Sequence, residues 1–164
     1  GFGNVAKRVE QALRALGTTV LHTSTRRDEH NTSWASFNEI LEKSDIVSLH
    51  LPLTPETRGM IGEAALAKMK PGAILVNTAR GEIVDEAALV AALQSGRLAA
   101  AGLDVFATEP VAPDNPLLAL DNVILSPHVS WYTADTMARY LTAAIRNCRR
   151  LADGEKPYSV VNGS

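Results

Sequence analysis

The sequence predicts an α/β fold: a parallel sheet with helices over both of its faces. Three observations carry this expectation. Short β-branched and apolar runs alternate with helical patterns along the 164 residues. The strand runs are almost continuously apolar, as strands covered on both faces require. Gly, Pro, Asp and Ser stand where helices must be stopped or capped. Parallel neighbours joined through helices also imply right-handed crossovers.

The elements follow in order. "GFGNVA" is a glycine-rich turn that runs into "KRVEQALRALG", a helix stopped by Gly17. "TTVLHTS", residues 18–24, reads as a strand, "FNEILEKS" as a helix and "DIVSLHLPL" as the second strand. "GEAALAKMKPG" is a helix ended by Pro71 and Gly72, and "AILVNTAR" is a strand. "DEAALVAALQSG" is a helix opened by Asp85 and closed by Gly96. "LAAAGLDV" and "NVILSPH" are the last strands, before a long helical pattern over 133–151 and a tail over 152–164 with no helical period.

Composition narrows the function classes. At 46% hydrophobic the chain can bury a substantial core, and a formal charge of -2 provides no basic field for nucleic acid or an anionic membrane. No apolar stretch reaches membrane-spanning length. Cys148, the single cysteine, has no partner for an intrachain disulfide and no metal-ligand spacing around it. It reads as a packing residue in a reducing, cytoplasmic protein, and no metal is expected.

Ligands of open parallel sheets collect at the carboxyl ends of the strands. Those positions hold "STRR", "HLPLTPET", "TARGE", "DVFATEP" and "PHVSWY", which puts Arg80, Glu109 and His128 on three different strand ends. A guanidinium fork on Arg80 can grip a carboxylate through two charge-assisted bonds. Glu109 can orient and charge the imidazole of His128, a pair suited to proton donation to a carbonyl oxygen. Gly1 and Gly3 allow close approach of a pyrophosphate to a helix N-terminus. Taken singly, each has an ordinary alternative: a surface salt bridge, a turn, a satisfied structural histidine.

Taken together, "GFGNVA", "LPLTPETRGMI", "VNTARGEIVDEAAL", "AGLDVFATEP" and "SPHVSWYT" resemble the nucleotide-binding domain of the D-isomer-specific 2-hydroxyacid dehydrogenases, in order and over nearly the whole chain. The resemblance implies a Rossmann-type, doubly wound sheet over residues 1–132, truncated before its first strand. A connecting helix over 133–151 follows, then a tail over 152–164 that returns to a substrate-binding domain. In the usual strand order the missing strand is central, so its neighbours would lack a pairing partner.

The resemblance also implies roles. Arg80 would bind substrate, His128 would be the acid/base and Glu109 would tune it. The cofactor would meet Gly1, Phe2, Gly3, Asn4 and Val5 in the glycine turn, with Ala6 in place of a third glycine. Leu51, Pro52, Thr57, Thr78, Ala79, Asp104 and Ser130 would line the rest. Trp131 offers an apolar wall to a substrate side chain larger than that of glyoxylate, with core packing as the alternative. The expected reaction is hydride transfer between NAD(P)(H) and a small-molecule 2-keto/2-hydroxy acid pair, by a full-length homodimer. A dinucleotide-sensing regulator resembling the C-terminal-binding protein corepressors is the alternative, and a remnant binding no ligand is a third.

The cofactor choice rests on "STRR". About 20 residues past the glycine turn, NAD-preferring relatives carry an acidic residue for the ribose 2′-hydroxyl. Here Ser24 and Thr25 can donate hydrogen bonds, and Arg26 and Arg27 can supply charge and a planar fork. NADP(H) is therefore favoured, with NAD(H) left open.

Overall fold

A computed structural model describes residues 1–25 and 32–158. The elements are α1 (Asn4–Ala15), α2 (Phe37–Lys43), β1 (Ile46–Leu49), α3 (Glu63–Lys68), β2 (Ala73–Asn77), α4 (Glu86–Gln94), β3 (Leu98–Leu103), β4 (Val123–Leu125) and α5 (Ala134–Ala152). All four strands are parallel and lie in the order β1-β2-β3-β4. Every carboxyl end thus falls on one edge of the sheet. The chain divides into two compact units, Gly1–His128 and Val129–Ser164.

Local chemistry explains where the helices start and stop. Ser36 opens α2 with a capping box: its hydroxyl accepts the Glu39 N–H at 3.3 Å, while the Glu39 carboxylate accepts the Ser36 N–H at 3.0 Å. Asp85 caps α4 by accepting the Ala88 N–H at 3.1 Å, as expected. Gly17 leaves α1 at φ 83° and Gly96 leaves α4 at φ 72°, left-handed positions that suit glycine.

The core of the first unit joins α2, α3 and α4 to the sheet. Leu41, Leu66, Met69, Leu75, Leu89 and Leu98 are essentially excluded from solvent there. Burial alternates along β1 and β2: Val47, Leu49, Ala73, Leu75 and Asn77 are buried, with Ile46 exposed on the opposite face. Ile124 of the edge strand β4 is 80% exposed. An apolar residue in a strand is covered only where a helix reaches its face.

Two expectations need correction. Residues 18–24 form no strand of the sheet; their segment makes a single bridge, His22 to Trp34. A β-branched run takes up strand geometry when a neighbour meets its backbone donors and acceptors, and here no strand of the sheet lies beside it. Cys148 is exposed rather than packed, as is most of α5, which buries none of its residues. Among the described residues, no helix is long and apolar enough to cross a membrane.

Candidate functional site

The strand ends are organised by side chains that bond to backbone. At the end of β2, Asn77 is 1% exposed. Its Oδ1 accepts the Ala79 N–H at 3.0 Å and its Nδ2 donates to the Arg80 carbonyl at 2.9 Å. That clamp folds Thr78 and Ala79 into a tight turn and presents Arg80, which is exposed. The Arg80 guanidinium donates to the Ala79 carbonyl at 2.6 Å, and none of the ion pairs among the described residues involves it.

Gly81 follows because nothing larger fits. A Cβ there would lie 1.9 Å from the Phe106 carbonyl carbon and 2.0 Å from its oxygen. The Arg80 turn therefore presses directly on the backbone that leaves β3. Asp104, 3% exposed, donates its N–H to the Asn77 carbonyl at 3.0 Å and accepts the Ser126 hydroxyl at 2.6 Å. Buried polar groups thus link the ends of β2, β3 and β4.

Glu109 and His128 meet. Glu109 Oε2 lies 2.8 Å from His128 Nδ1, and Glu109 Oε1 accepts the Phe106 N–H at 3.0 Å. The hydrogen bond from His128, reinforced by that backbone donor, holds the Glu109 carboxyl below its ordinary value of 4.5. Glu109 is therefore an ionised acceptor at neutral pH, so Nδ1 carries the proton of this bond. His128 adopts φ 54°, an unusual backbone for a residue with a Cβ. The pair opens into a cleft of about 690 Å³ whose walls include Phe106, Val111, Leu118 and Leu125.

The glycine turn sits against the end of β1. A Cβ on Gly1 would fall 2.2 Å from the His50 carbonyl oxygen, so the turn and the His50–Leu51 backbone are in contact. Gly3 differs, with nothing within 4 Å of where its Cβ would stand. It is the N-cap of α1 and supplies no side-chain cap, so Asn4 and Val5 begin the helix with amides that no N-cap side chain meets. Phe2 stacks on His22 with centroids 3.6 Å apart.

In the next loop Thr57 closes its own turn, donating to the Pro52 carbonyl at 2.8 Å and accepting the Thr54 N–H at 2.8 Å. Burial holds the neighbouring His50 below its ordinary 6.5.

Ser24 is half-buried and Thr25 exposed, while Arg26 and Arg27 lie outside the described residues. Ser130 and Trp131 belong to the second unit. There Trp131 stands edge-on to Tyr132, 5.4 Å between centroids, and tilted against Tyr140 at 6.4 Å. Among the residues that sequence reasoning missed are two supports, Asn77 and Ser126. The available signal was polarity at the end of an apolar strand, "AILVN" and "VILS".

Residues 1–130 match the family model described as D-isomer specific 2-hydroxyacid dehydrogenase, NAD binding domain. A glyoxylate reductase from Aeropyrum pernix is 44% identical over 99% of this chain and 50% of its own length. The structure of D-lactate dehydrogenase with NAD+ from Lactobacillus jensenii superposes with a TM-score of 0.90 at 35% identity, covering 99% of this chain and 54% of that one. That of the acyclic imino acid reductase Bsp5, in complex with NADPH and D-Arg, gives 0.89 at 32% identity, covering 98% and 52%. The chain spans about half the length of these relatives. Its strand-end architecture, its five motifs and a match over residues 1–130 together make it a member of the D-isomer specific 2-hydroxyacid dehydrogenase family.

Proposed function

We propose that the chain is the cofactor half of an NAD(P)-dependent 2-keto acid reductase, equivalently a D-2-hydroxyacid dehydrogenase, acting in the cytoplasm as a full-length homodimer. The observation that carries this is the Glu109–His128 pair at 2.8 Å, on a loop packed against the turn that presents Arg80. The relatives named as reductases and as a dehydrogenase support an enzyme over a regulator.

The residues present fit a dinucleotide. The open space at Gly3 and the side-chain-free N-terminus of α1 suit an approaching pyrophosphate, whose charge the helix end favours. The contact of Gly1 with the end of β1 holds that turn in place. When bound, the cofactor supplies or accepts the hydride.

The chain's own residues do the rest. Arg80 binds the substrate carboxylate through its fork and draws electron density from the adjacent carbonyl. With Nδ1 committed to Glu109, His128 passes the proton from Nε2 to the carbonyl oxygen during reduction and takes it back in oxidation. Ionised Glu109 fixes the ring's orientation and stabilises the imidazolium form that precedes donation.

The test is reduction of a panel of 2-keto acids by the full-length protein with NADPH and NADH, alongside H128Q. Turnover that H128Q lowers by about 100-fold or more is expected, the scale of general acid catalysis. Absence of turnover with every 2-keto acid, or full activity in H128Q, would overturn the reading.

A further inference from the structure

Glu86, in the first turn of α4, has no place among the binding and reacting residues of the proposed site. Its two carboxylate oxygens go to two ends of the segment that carries Glu109. Oε1 accepts the Ala107 N–H at 2.6 Å, and Oε2 accepts the Asn115 Nδ2 at 3.1 Å. Asn115 is itself fixed, since its Oδ1 caps the following helical turn through the Leu117 N–H at 2.9 Å.

The placement matters because of what adjoins it. Ala107 follows Phe106, whose N–H is one of the two groups holding Glu109. At the same two residues, the backbone at Gly81 is so close that a Cβ would overlap the Phe106 carbonyl and come within 2.5 Å of the Ala107 nitrogen. Gly81 and Glu86 both belong to the connection that runs from Arg80 into α4. One short stretch of chain therefore presents Arg80 and also sets the position of the Glu109 loop. The segment between Ala107 and Asn115 has no helix or strand of its own to hold it.

We infer that Glu86 is a positioning residue for the reaction: by clamping Ala107 and Asn115 it holds Glu109 in register with His128 and with the Arg80 turn. The inference rests on the reductase reading for its kinetic readout, and on geometry alone for its spectroscopic one. An ionised carboxylate suits the position because both partners are donors. Glutamine can serve only one of them, since its amide nitrogen would face the Asn115 amide nitrogen. Exchanging polarity at both ends restores the match. In E86Q/N115D, the amide nitrogen introduced at position 86 donates to one oxygen of the carboxylate introduced at position 115. The other carboxylate oxygen still receives the Leu117 N–H.

The experiment compares E86A, E86Q and E86Q/N115D with wild type in the full-length protein. It measures kcat and KM for 2-keto acid reduction, and the 15N signal of His128 Nδ1, identified by its loss in H128Q. Misplacement of a reacting group by about 1 Å costs up to about 100-fold. E86A is therefore expected to lower kcat by about 10- to 100-fold with little change in the dinucleotide KM, and to move the Nδ1 signal. E86Q should fall between, and E86Q/N115D should recover toward wild type in both readouts.

Should E86A not fold, the glutamine variant and its double partner still decide the matter. A kcat within about twofold of wild type and an unmoved signal in E86Q would overturn the inference, as would a double variant no better than E86Q. If wild type reduces no 2-keto acid yet the Nδ1 signal moves in E86Q and returns in the double variant, the clamp stands and the reductase reading falls.

Discussion

His128 Nδ1 lies 2.8 Å from Glu109 Oε2, across the ends of two neighbouring strands, and the pair is only partly shielded, with side chains 39% and 36% exposed. Because the Glu109 carboxyl is held below its ordinary 4.5, the stability it contributes is fully present above that value and is lost as pH falls through its lowered folded value. Solvent screening limits the contribution to about 1 kcal/mol or less. The unfolding free energies of wild type and E109Q in urea should differ most above pH 4.5, with the gap closing as pH falls below that value. A gap that stays constant or widens in acid would show that the pair does not behave this way.

Gly81→Ala should be strongly destabilising, because its Cβ would overlap the Phe106 carbonyl and backbone must move. Overpacking of this kind costs about 1–3 kcal/mol or more. Gly3→Ala meets no protein atom within 4 Å and should cost only the difference between a glycine and an alanine N-cap, about 1 kcal/mol or less. If the space at Gly3 serves a pyrophosphate, the same variant should weaken dinucleotide binding by about tenfold or more. Unfolding and cofactor titration, measured on both variants, separate the two effects.

Arg80→Lys keeps the charge and loses the planar fork. A hydrogen bond to a charged group is worth about 1.5–3 kcal/mol, so kcat/KM for a 2-keto acid should fall by about 10- to 100-fold. The turn itself should survive, since Asn77 bonds to the backbone of Ala79 and Arg80 and not to the guanidinium. Unchanged kcat/KM in this variant would remove Arg80 from substrate binding.

Ser36→Ala removes the cap of α2 and should cost about 1 kcal/mol in unfolding experiments. Lys43 and Ser36 hold Glu39 at about 2. This carboxylate's contribution is therefore fully present above 4.5 and is lost progressively as pH falls from there toward about 2. Circular dichroism of S36A and wild type through acid should show the variant's helix signal failing first.

For the cofactor, the ratio of kcat/KM for NADPH to that for NADH should exceed unity in the full-length protein. It should fall by about tenfold or more when Arg26 and Arg27 are both replaced by alanine, each lost charged contact being worth about 1.5–3 kcal/mol. A preference for NADH, or one for NADPH indifferent to both arginines, would refute the reading of "STRR".

The alternation of apolar runs with capped helical patterns was enough to place the four strands and five helices described, because hydrophobic period and cap chemistry are local properties. Asp85, Gly17 and Gly96 act where the sequence puts them. Sequence order also brought Arg80, Glu109 and His128 to the ends of parallel strands. Residues 18–24 show the limit, since a strand's existence depends on a neighbour that local propensity cannot supply. Only the tertiary structure decided which polar side chains hold the strand ends together. Asn77 sits beside the turn it clamps, yet nothing in its neighbours says that it is buried. Glu86 and Ala107, like Asp104 and Ser126, are about 20 residues apart in the chain. They become partners because parallel pairing of β2, β3 and β4 stacks one strand end beside the next.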